Sequence, residues 1–348
     1  MYNVVIVWWT DWFGRWLAKF LLDNFRKDIK LTITWRNEDK AKKVSNELAC
    51  LYSIDNISSV KEADIVIFAV PIAYMVDTIK ELAQFIRKWS VILDVTSIKK
   101  KPSQAMQDYA PDWVLVIPTH PMFGPYISTI AGQIFVLTPE EEVKKDIRYI
   151  KLKEFLEKSW AKVIESSSIE HDKMMAIVQW LTHFDMFVLW ETIKRLWVDI
   201  EKSMNFVSPI YKIMISSVAR YMNQNPKLYW DIQMFNDEVL EVHKVFMEVT
   251  EDFNNFVKQK DESSFIETIL WTQKYFWENS NKWQKYTDKI IYLISKQIEK
   301  IENNIWKEVK FTNIYTKKEF IWKILKFDNN VVSINSWEEL NIDEWEIN

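Results

Sequence analysis

Residues 3–25 read NVVIVWWTDWFGRWLAKFLLDNF. The run 3–7 is continuously apolar after Asn3, as in a strand buried on both faces. Residues 13–25 carry apolar side chains at helical spacing. Strand, short loop and helix in this order open a βαβ unit, and such units build parallel, doubly wound sheets. The loop between them, WWTDW at 8–12, is the anomaly. A turn this tight favours residues without a Cβ, and here it holds three indoles.

The anomaly runs through the whole chain. Its 348 residues include 3 glycines and 19 tryptophans, where about 24 glycines would be average for this length. Many tryptophans occupy glycine positions. Trp89 follows the helical FIRK and precedes the strand-like SVILDV; Trp160 follows LKEFLEKS and precedes AKVIE. Both are helix C′ positions, which close most easily with a left-handed residue. Trp283 in SNKWQK and Trp337 in INSWEEL lie in turn-like polar clusters, and Trp35 in ITWRN sits just past a β run. The pattern is that of a gene whose UGA codons specify glycine, translated with a table that reads UGA as tryptophan. We read most of these tryptophans as glycine. Trp197, Trp230, Trp271 and Trp345 are the hardest to assign.

Other totals exclude whole classes. Hydrophobic residues make up 48% and charged residues 27%, an ordinary globular balance rather than a disordered one. The formal net charge of −4 disfavours nucleic acid as partner. One cysteine, Cys50, supports neither a disulfide framework nor a cysteine-based zinc site, and no metal is expected. The chain starts MYNVVIV, without a basic leader, and no apolar run approaches membrane-spanning length. These features predict a cytoplasmic protein with no membrane partner.

Outward from the opening unit, strands are expected at 30–34, 63–70, 90–95 and 114–118, with shorter ones at 133–137 and 161–165. Helices are expected at 38–49, about 73–87 and 140–159. From about residue 167 the strand signal stops. Long helices are predicted at 170–196, 203–222, 228–258 and 261–302, rich in Met and Phe. Helices of that kind need a surface to bury their apolar faces, commonly a second copy of the chain. The stretches VKFTNIY, FIWKILKF and VVSIN then predict a small β appendage, with turns at Trp322 and Trp337. The expected division is an α/β domain at 1–166, an all-helical dimerisation domain at 167–302, and the appendage at 303–348.

With glycine restored, residues 8–14 become GGTDGFG between strand and helix. Small residues there let a pyrophosphate approach the backbone and rest on the helix N-terminus. Against the common G-x-G-x-x-G pattern placed on Trp9 and Gly14, Asp11 stands at the middle glycine. With tryptophan taken literally, Trp8 and Trp9 would fill the pyrophosphate space. At the end of the second strand, an acidic residue would select NAD through its ribose hydroxyl. This chain has Arg36 and Asn37 there, and Arg36 suits a 2′-phosphate, so NADP is favoured over NAD. The residues expected to line the cofactor are Trp8, Trp9, Thr10, Asp11, Trp12, Phe13, Gly14, Arg36, Val70 and Pro71.

Only four histidines are present. His120, in IPTHPMFGP, follows a predicted strand, where folds of this class place ligands, and imidazole suits proton transfer. Ser97 and Lys99 lie in DVTSIKK and by type read as a helix cap and a surface charge. His183 lies on the first long helix in IVQWLTHF. Arg220 flanks the apolar stretch IYKIMISSVAR and reads equally as a carboxylate clamp or as a helix C-terminal charge. His171 and His243 have no comparable setting, and Asp172 reads as part of a helix start.

The segments VVIVWWTDWFGRWLAKF, DVTSIKKKPSQAM, VIPTHPMFGP, IVQWLTHF, SPIYKIMIS and NPKLYWDIQMFN together resemble prephenate dehydrogenases, especially the archaeal type. The resemblance spans about residues 1–300 and reaches into the tail. That family has glycine where this chain has Trp8, Trp9, Trp12, Trp35, Trp89, Trp113, Trp160 and Trp180, while Trp16 matches a true aromatic. The resemblance implies a Rossmann domain followed by a helical dimer-forming domain. It also implies oxidative decarboxylation of prephenate to 4-hydroxyphenylpyruvate, with hydride passing to NAD(P), in tyrosine biosynthesis. His120 matches the catalytic histidine that takes the ring-hydroxyl proton, and Ser97 a serine that positions it. His183 matches a substrate-binding histidine, and Arg220 the arginine that holds a substrate carboxylate. Rival readings are an arogenate dehydrogenase, another NADP-dependent reductase on the same fold, and, if the loop indoles are real, a non-catalytic dinucleotide-sensing protein.

Overall fold

A computed structural model of the chain describes residues 1–8, 13–314, 316–328, 330–335 and 338–347. Trp9, Thr10, Asp11, Trp12 and Trp337 lie outside the described residues. The chain forms two compact units, Met1–Met247 and Glu248–Asn348.

The first unit is built on eight strands: β1 (Tyr2–Trp8), β2 (Ile29–Thr34), β3 (Leu51–Ser53), β4 (Ile65–Ala69), β5 (Val91–Asp94), β6 (Leu115–Pro121), β7 (Ile134–Leu137) and β8 (Lys162–Glu165). They form one sheet in the order β3-β2-β1-β4-β5-β6-β7-β8. All neighbours are parallel except β6 and β7. The reversal at β7 corrects the expectation of a purely parallel sheet. Residues 122–133 hold no crossover helix, and a connection of that kind returns the chain antiparallel. Gly132 turns this segment at φ +75°.

The helices α1 (Phe13–Phe25), α2 (Glu38–Leu48), α3 (Asn56–Lys61), α4 (Ile72–Leu82), α5 (Lys100–Tyr109) and α6 (Ile147–Lys158) link the strands. Two apolar layers result. Val5, Val7, Val66 and Phe68 meet Met75, Ile79 and Met106 in one. Val4, Ile6 and Ile33 meet Leu17, Ala18 and Leu22 in the other. Adjacent residues of one strand thus feed opposite layers, which is why β1 reads as an unbroken apolar run. The strand β3 and helices α3 and α5 were not anticipated; they are short, or too charged to show a clear period.

The helical part of this unit starts with α7 (Ser168–Met175), passes through a π-helical segment at Ala176–Leu181, and continues as α8 (Thr182–Arg195). The next helices are α9 (Ile200–Ser203), α10 (Pro209–Met222) and α11 (Pro226–Phe235). Pro209 and Pro226 stand in the first turns of α10 and α11, behind the capping side chains of Ser208 and Asn225. The helix α12 (Val239–Gln259) follows a break that the sequence does not advertise. Asn236 ends α11 in an extended conformation and donates from Nδ2 to the Asp172 carbonyl at 2.8 Å.

The second unit contains the end of α12, the 41-residue α13 (Glu262–Glu302), and five strands: β9 (Glu308–Asn313), β10 (Glu319–Asp328), β11 (Val331–Ile334), β12 (Glu339–Asn341) and β13 (Trp345–Ile347). The strands form an antiparallel sheet in the order β12-β11-β10-β9-β13. Ile301 of α13 packs against Phe311, Ile324 and Val332. Two local expectations are corrected. Trp283 lies inside α13 rather than in a turn. Trp322 pairs with Val309 in mid-strand, its ring stacked on Phe320 at 4.7 Å.

Candidate active site

The strand order reverses between β1 and β4, the switch point where doubly wound sheets open a crevice at their carboxyl ends. Phe13 and Gly14 open α1, and Gly14 is buried, so the helix begins tight against the sheet. Trp8 ends β1. Val70 is buried just past β4, and Pro71 stands as the N-cap of α4. Beyond β2, Asn37 is committed to capping α2 through Lys40 N, at 3.0 Å, while Arg36 is exposed. Trp35 is buried beside Ala41 and Val44. The switch point, the strand ends and the start of α1 fit a dinucleotide as a scaffold.

Across the crevice, β5 and β6 end in a polar knot. Asp94 closes β5, its Oδ1 accepting from Thr119 N at 3.3 Å. Its Oδ2 accepts from Thr96 N at 3.1 Å, and also from the Lys99 ammonium. Lys99 Nζ donates further to the Thr119 carbonyl at 2.7 Å. Lys99 is wholly buried, not a surface charge as its type suggests. Burial pulls its pKa down, and Asp94 opposes the shift. A lysine tolerates such a place only when paired and fully hydrogen-bonded. Ser97 lies half-buried in the turn between β5 and α5; Lys99, not Ser97, is the helix N-cap, and no described hydrogen bond reaches the Ser97 hydroxyl.

Thr119 delivers His120 to the end of β6, where only 2% of it is exposed. Its Nδ1 is 2.9 Å from His171 Nε2, and its Nε2 is 3.5 Å from Gln179 Nε2. His171 Nδ1 is in turn 2.7 Å from Asp172 Oδ1. Burial, then His171 and Lys99, push the His120 pKa well below its ordinary 6.5. The reading of His171 as without context is therefore corrected. Asp172 is corrected too. Its helix, α7, is capped by Ser167, and Asp172 instead accepts Lys99 N at 2.7 Å and Lys100 N at 2.9 Å, at the start of α5. Asp231 does the same more loosely for α4, accepting Ala73 N at 3.5 Å. Two carboxylates of the helical part thus sit on the positive ends of two sheet helices.

The helix that follows carries the rest of the site. Gln179 lies in the π-helical segment and His183 one turn later, on α8. The His183 ring meets Tyr221 at 4.9 Å and Tyr229 at 5.0 Å, both edge to face. Two buried atoms here have no partner, Gln179 Oε1 and His183 Nδ1. Burial pushes His183 down to about 4, so it is neutral at pH 7. An unpaired lone pair is tolerated better than an unpaired N–H, so Nδ1 is left bare and Nε2 carries the proton as a donor. Arg220, near the end of α10, is exposed, and its guanidinium lies 5.8 Å from the ring centre of Tyr126, in the loop after His120. No ion pair to Arg220 occurs among the described residues. The structure thus joins His120 to Gln179, places His183 four residues on, and brings Arg220 to the loop that follows β6.

Residues 21–165 match the model of the prephenate dehydrogenase nucleotide-binding domain, and residues 167–271 that of the prephenate dehydrogenase dimerization domain. A probable arogenate/prephenate dehydrogenase of Methanocaldococcus jannaschii is 40% identical over 312 residues, covering 90% of this chain and 69% of that protein. The chain belongs to the prephenate dehydrogenase family. The T-protein of Haemophilus influenzae is 27% identical over 67% of this chain, which spans only 61% of that protein. Among solved structures, the prephenate dehydrogenase of Aquifex aeolicus, crystallised with hydroxyphenyl propionate and NAD+, superposes with a TM-score of 0.61 at 20% identity, covering 80% of this chain and 98% of its own. The arogenate dehydrogenase of Synechocystis gives a TM-score of 0.57 at 18% identity, over 82% of this chain and all of its own. Both share the fold, a Rossmann-like sheet followed by helices. The family's nucleotide-binding match begins at residue 21, after the tryptophan-bearing loop.

No helix among the described residues is long and apolar enough to cross a membrane, and no group of three or more His, Cys, Asp or Glu is placed to hold a metal.

Proposed function

We propose that the chain oxidatively decarboxylates prephenate to 4-hydroxyphenylpyruvate, serving tyrosine synthesis in the cytoplasm as a homodimer. The observation that carries this reading is His120: buried, neutral, and with Nε2 turned to the crevice side helix rather than to a carboxylate. A neutral imidazole there is a proton acceptor, not a cation. It would take the proton of the substrate's ring hydroxyl, with Ser97 helping to place that hydroxyl. Departure of carbon dioxide then leaves an aromatic ring. NADP or NAD bound at the switch point would supply the hydride acceptor, held by the β1–α1 loop, Val70 and Pro71.

Prephenate carries two carboxylates and a keto group. Arg220 supplies a cation for a carboxylate, and His183 Nε2–H supplies a donor for a carboxylate or carbonyl oxygen. Arg36 favours NADP through its 2′-phosphate, since Asn37 is committed to its helix cap. The helices after residue 167 leave apolar side chains such as Phe206, Leu240 and Leu270 exposed, which suits a second copy of the chain.

Arogenate differs from prephenate in its side chain, an amino acid in place of a keto acid. The names of the relatives include both substrates, so arogenate is the second reading. Steady-state assays with each substrate and each cofactor test the activity and both specificities. The proposal expects turnover of prephenate at least tenfold above arogenate in kcat/KM, and a lower KM for NADP. A tenfold preference for NAD would remove the role given to Arg36, and absence of turnover with both substrates would end the dehydrogenase reading.

A further inference from the structure

We propose that His171 is the positioning residue that fixes the tautomer of His120, keeping its Nε2 bare as a proton acceptor. The inference rests on the reading of His120 as the group that receives the substrate proton.

The proton positions follow from counting donors. Asp172 receives two backbone N–H groups, from Lys99 at 2.7 Å and Lys100 at 2.9 Å, so its carboxylate is an acceptor held in place from outside its own helix. The third group on it, His171 Nδ1 at 2.7 Å, must then be a donor. A neutral His171 that spends its proton on Asp172 has a bare Nε2. That atom lies 2.9 Å from His120 Nδ1. Two bare nitrogens cannot form a hydrogen bond, so His120 carries its proton on Nδ1. Its Nε2 is then the bare atom, and the amide of Gln179 is the donor toward it at 3.5 Å.

The opposite protonation would disable the site. If His171 were an imidazolium, its Nε2–H would donate to His120 Nδ1. A neutral His120 would then hold its proton on Nε2, where it could accept none. The surroundings work against that state. His120 and His171 are both buried, and His171 is faced by Asp172, Asp94, Lys99 and His120. Burial is the largest influence on its pKa and lowers it, with the Lys99 ammonium acting the same way against Asp172. Lys99 also lowers His120. The buried lysine thus contributes twice: it ties β5 to β6, and it keeps two imidazoles neutral in a site that holds a carboxylate.

The first test needs no substrate. In the full chain labelled with ¹⁵N-histidine, the signal lost in His120→Asn identifies His120. At pH 7.5 the expected spectrum shows a protonated Nδ1 and a bare Nε2 on that ring. A protonated Nε2 overturns the proposal. The second test is kinetic. His171→Leu should lower kcat about 10- to 100-fold, a part of the roughly 100- to 10,000-fold that a positioned proton acceptor supplies, with KM changing less than about threefold. His171→Gln, whose amide can accept from His120 and donate to Asp172, should recover about fivefold or more of that loss. A His171→Leu protein within twofold of wild type in kcat overturns the positioning role. If the leucine variant does not fold, the wild-type spectrum decides alone. Wild-type protein that turns over neither prephenate nor arogenate would instead defeat the dehydrogenase reading, and the spectrum would still judge the tautomer.

Discussion

The two sides of the crevice differ in how far the protein has finished them. At the end of β6, His120 has neighbours at both ring nitrogens, and the line through His171 to Asp172 sets where its proton sits. On the facing helices, no described hydrogen bond uses the His183 Nε2–H, and Arg220 is exposed over Tyr126 without a described carboxylate. The first side is preorganised for proton transfer before anything binds. The second consists of polar groups whose partners are missing from the chain itself, as a binding surface for an anion should be. Catalytic groups benefit from being held, whereas a binding group left unpaired by its own chain is satisfied only on contact with ligand.

The largest expected effect breaks the finished side. His120→Asn keeps a polar side chain of similar reach but removes the basic nitrogen. It should cut kcat roughly a thousandfold while leaving cofactor affinity within about threefold, read by steady-state kinetics and by fluorescence titration with NADP. Unchanged turnover would show that His120 is a structural histidine and that the two sides do not differ in the way described.

His183 gives the next largest effect, and it appears in stability. Burial holds its pKa at about 4 against an ordinary 6.5. Above pH 6.5 the imidazole is neutral in both folded and unfolded chains and takes nothing from stability. As pH falls, the unfolded chain binds the proton first, so stability declines through the window from 6.5 down to about 4. The full decline attributable to this group is roughly 3 kcal/mol. His183→Phe retains a flat ring for Tyr221 and Tyr229 and should be less steeply destabilised over that window than wild type. Parallel slopes in urea titrations at pH 7 and pH 4.5 would place the charge-sensitive burial elsewhere, with His120 and His171 as the remaining buried imidazoles.

Arg220 sharpens the contrast from the binding side. Arg220→Ala should raise the KM for prephenate about 10- to 100-fold, the worth of a charge-assisted hydrogen bond, with kcat changing much less. Because the guanidinium is exposed, little stability should be lost. A fall in melting temperature with an unchanged KM would make it a helix-end charge instead.

These two sides were not equally legible in the sequence. His120 could be found because a histidine after an apolar strand lies where such sheets keep their chemistry. His183 and Arg220 were named through family motifs, since spacing alone leaves a helical histidine and a helix-end arginine ambiguous. The sheet was legible from unbroken apolar runs, but the helix starts at Ser208-Pro209 and Asn225-Pro226 were passed over, with helices expected at 203–222 and 228–258 instead. His171, Asp172 and Lys99 were not. Their partners lie far along the chain: His120 is 51 residues from His171, and Lys99 is 73 from Asp172. A buried lysine and a solvated one look identical until Asp94 and the Thr119 carbonyl arrive beside the ammonium. Periodicity reports which face is apolar, but it does not report which polar groups will meet inside.

The smallest effect is one that both regions should share. Among the described residues, Trp89, Trp160, Trp197 and Trp306 have φ of 70°, 61°, 53° and 69°, and they are half of the non-glycine residues in that left-handed region. Trp160 closes α6, with its N–H on Glu157 O at 2.9 Å and Ala161 N on Leu156 O at 3.0 Å. Trp197 closes α8, the helix of His183, with bonds to Lys194 O at 2.9 Å and from Val198 N to Ile193 O at 3.3 Å. Both are glycine-type helix ends, and both indoles are solvent-exposed. Trp16 behaves differently: its Nε1 donates to Ile127 O at 3.1 Å and its ring stacks on Phe20. The contrast supports glycine as the native residue at the helix ends and tryptophan at position 16. Trp160→Gly and Trp197→Gly should each raise stability by about 1 kcal/mol without moving kcat or KM, because neither side chain is part of the site. The intact mass of protein made in its native host provides the direct check. A mass matching all 19 tryptophans would mean that the chain carries indoles where its backbone turns left-handed, and the glycine variants would then measure what that strain costs.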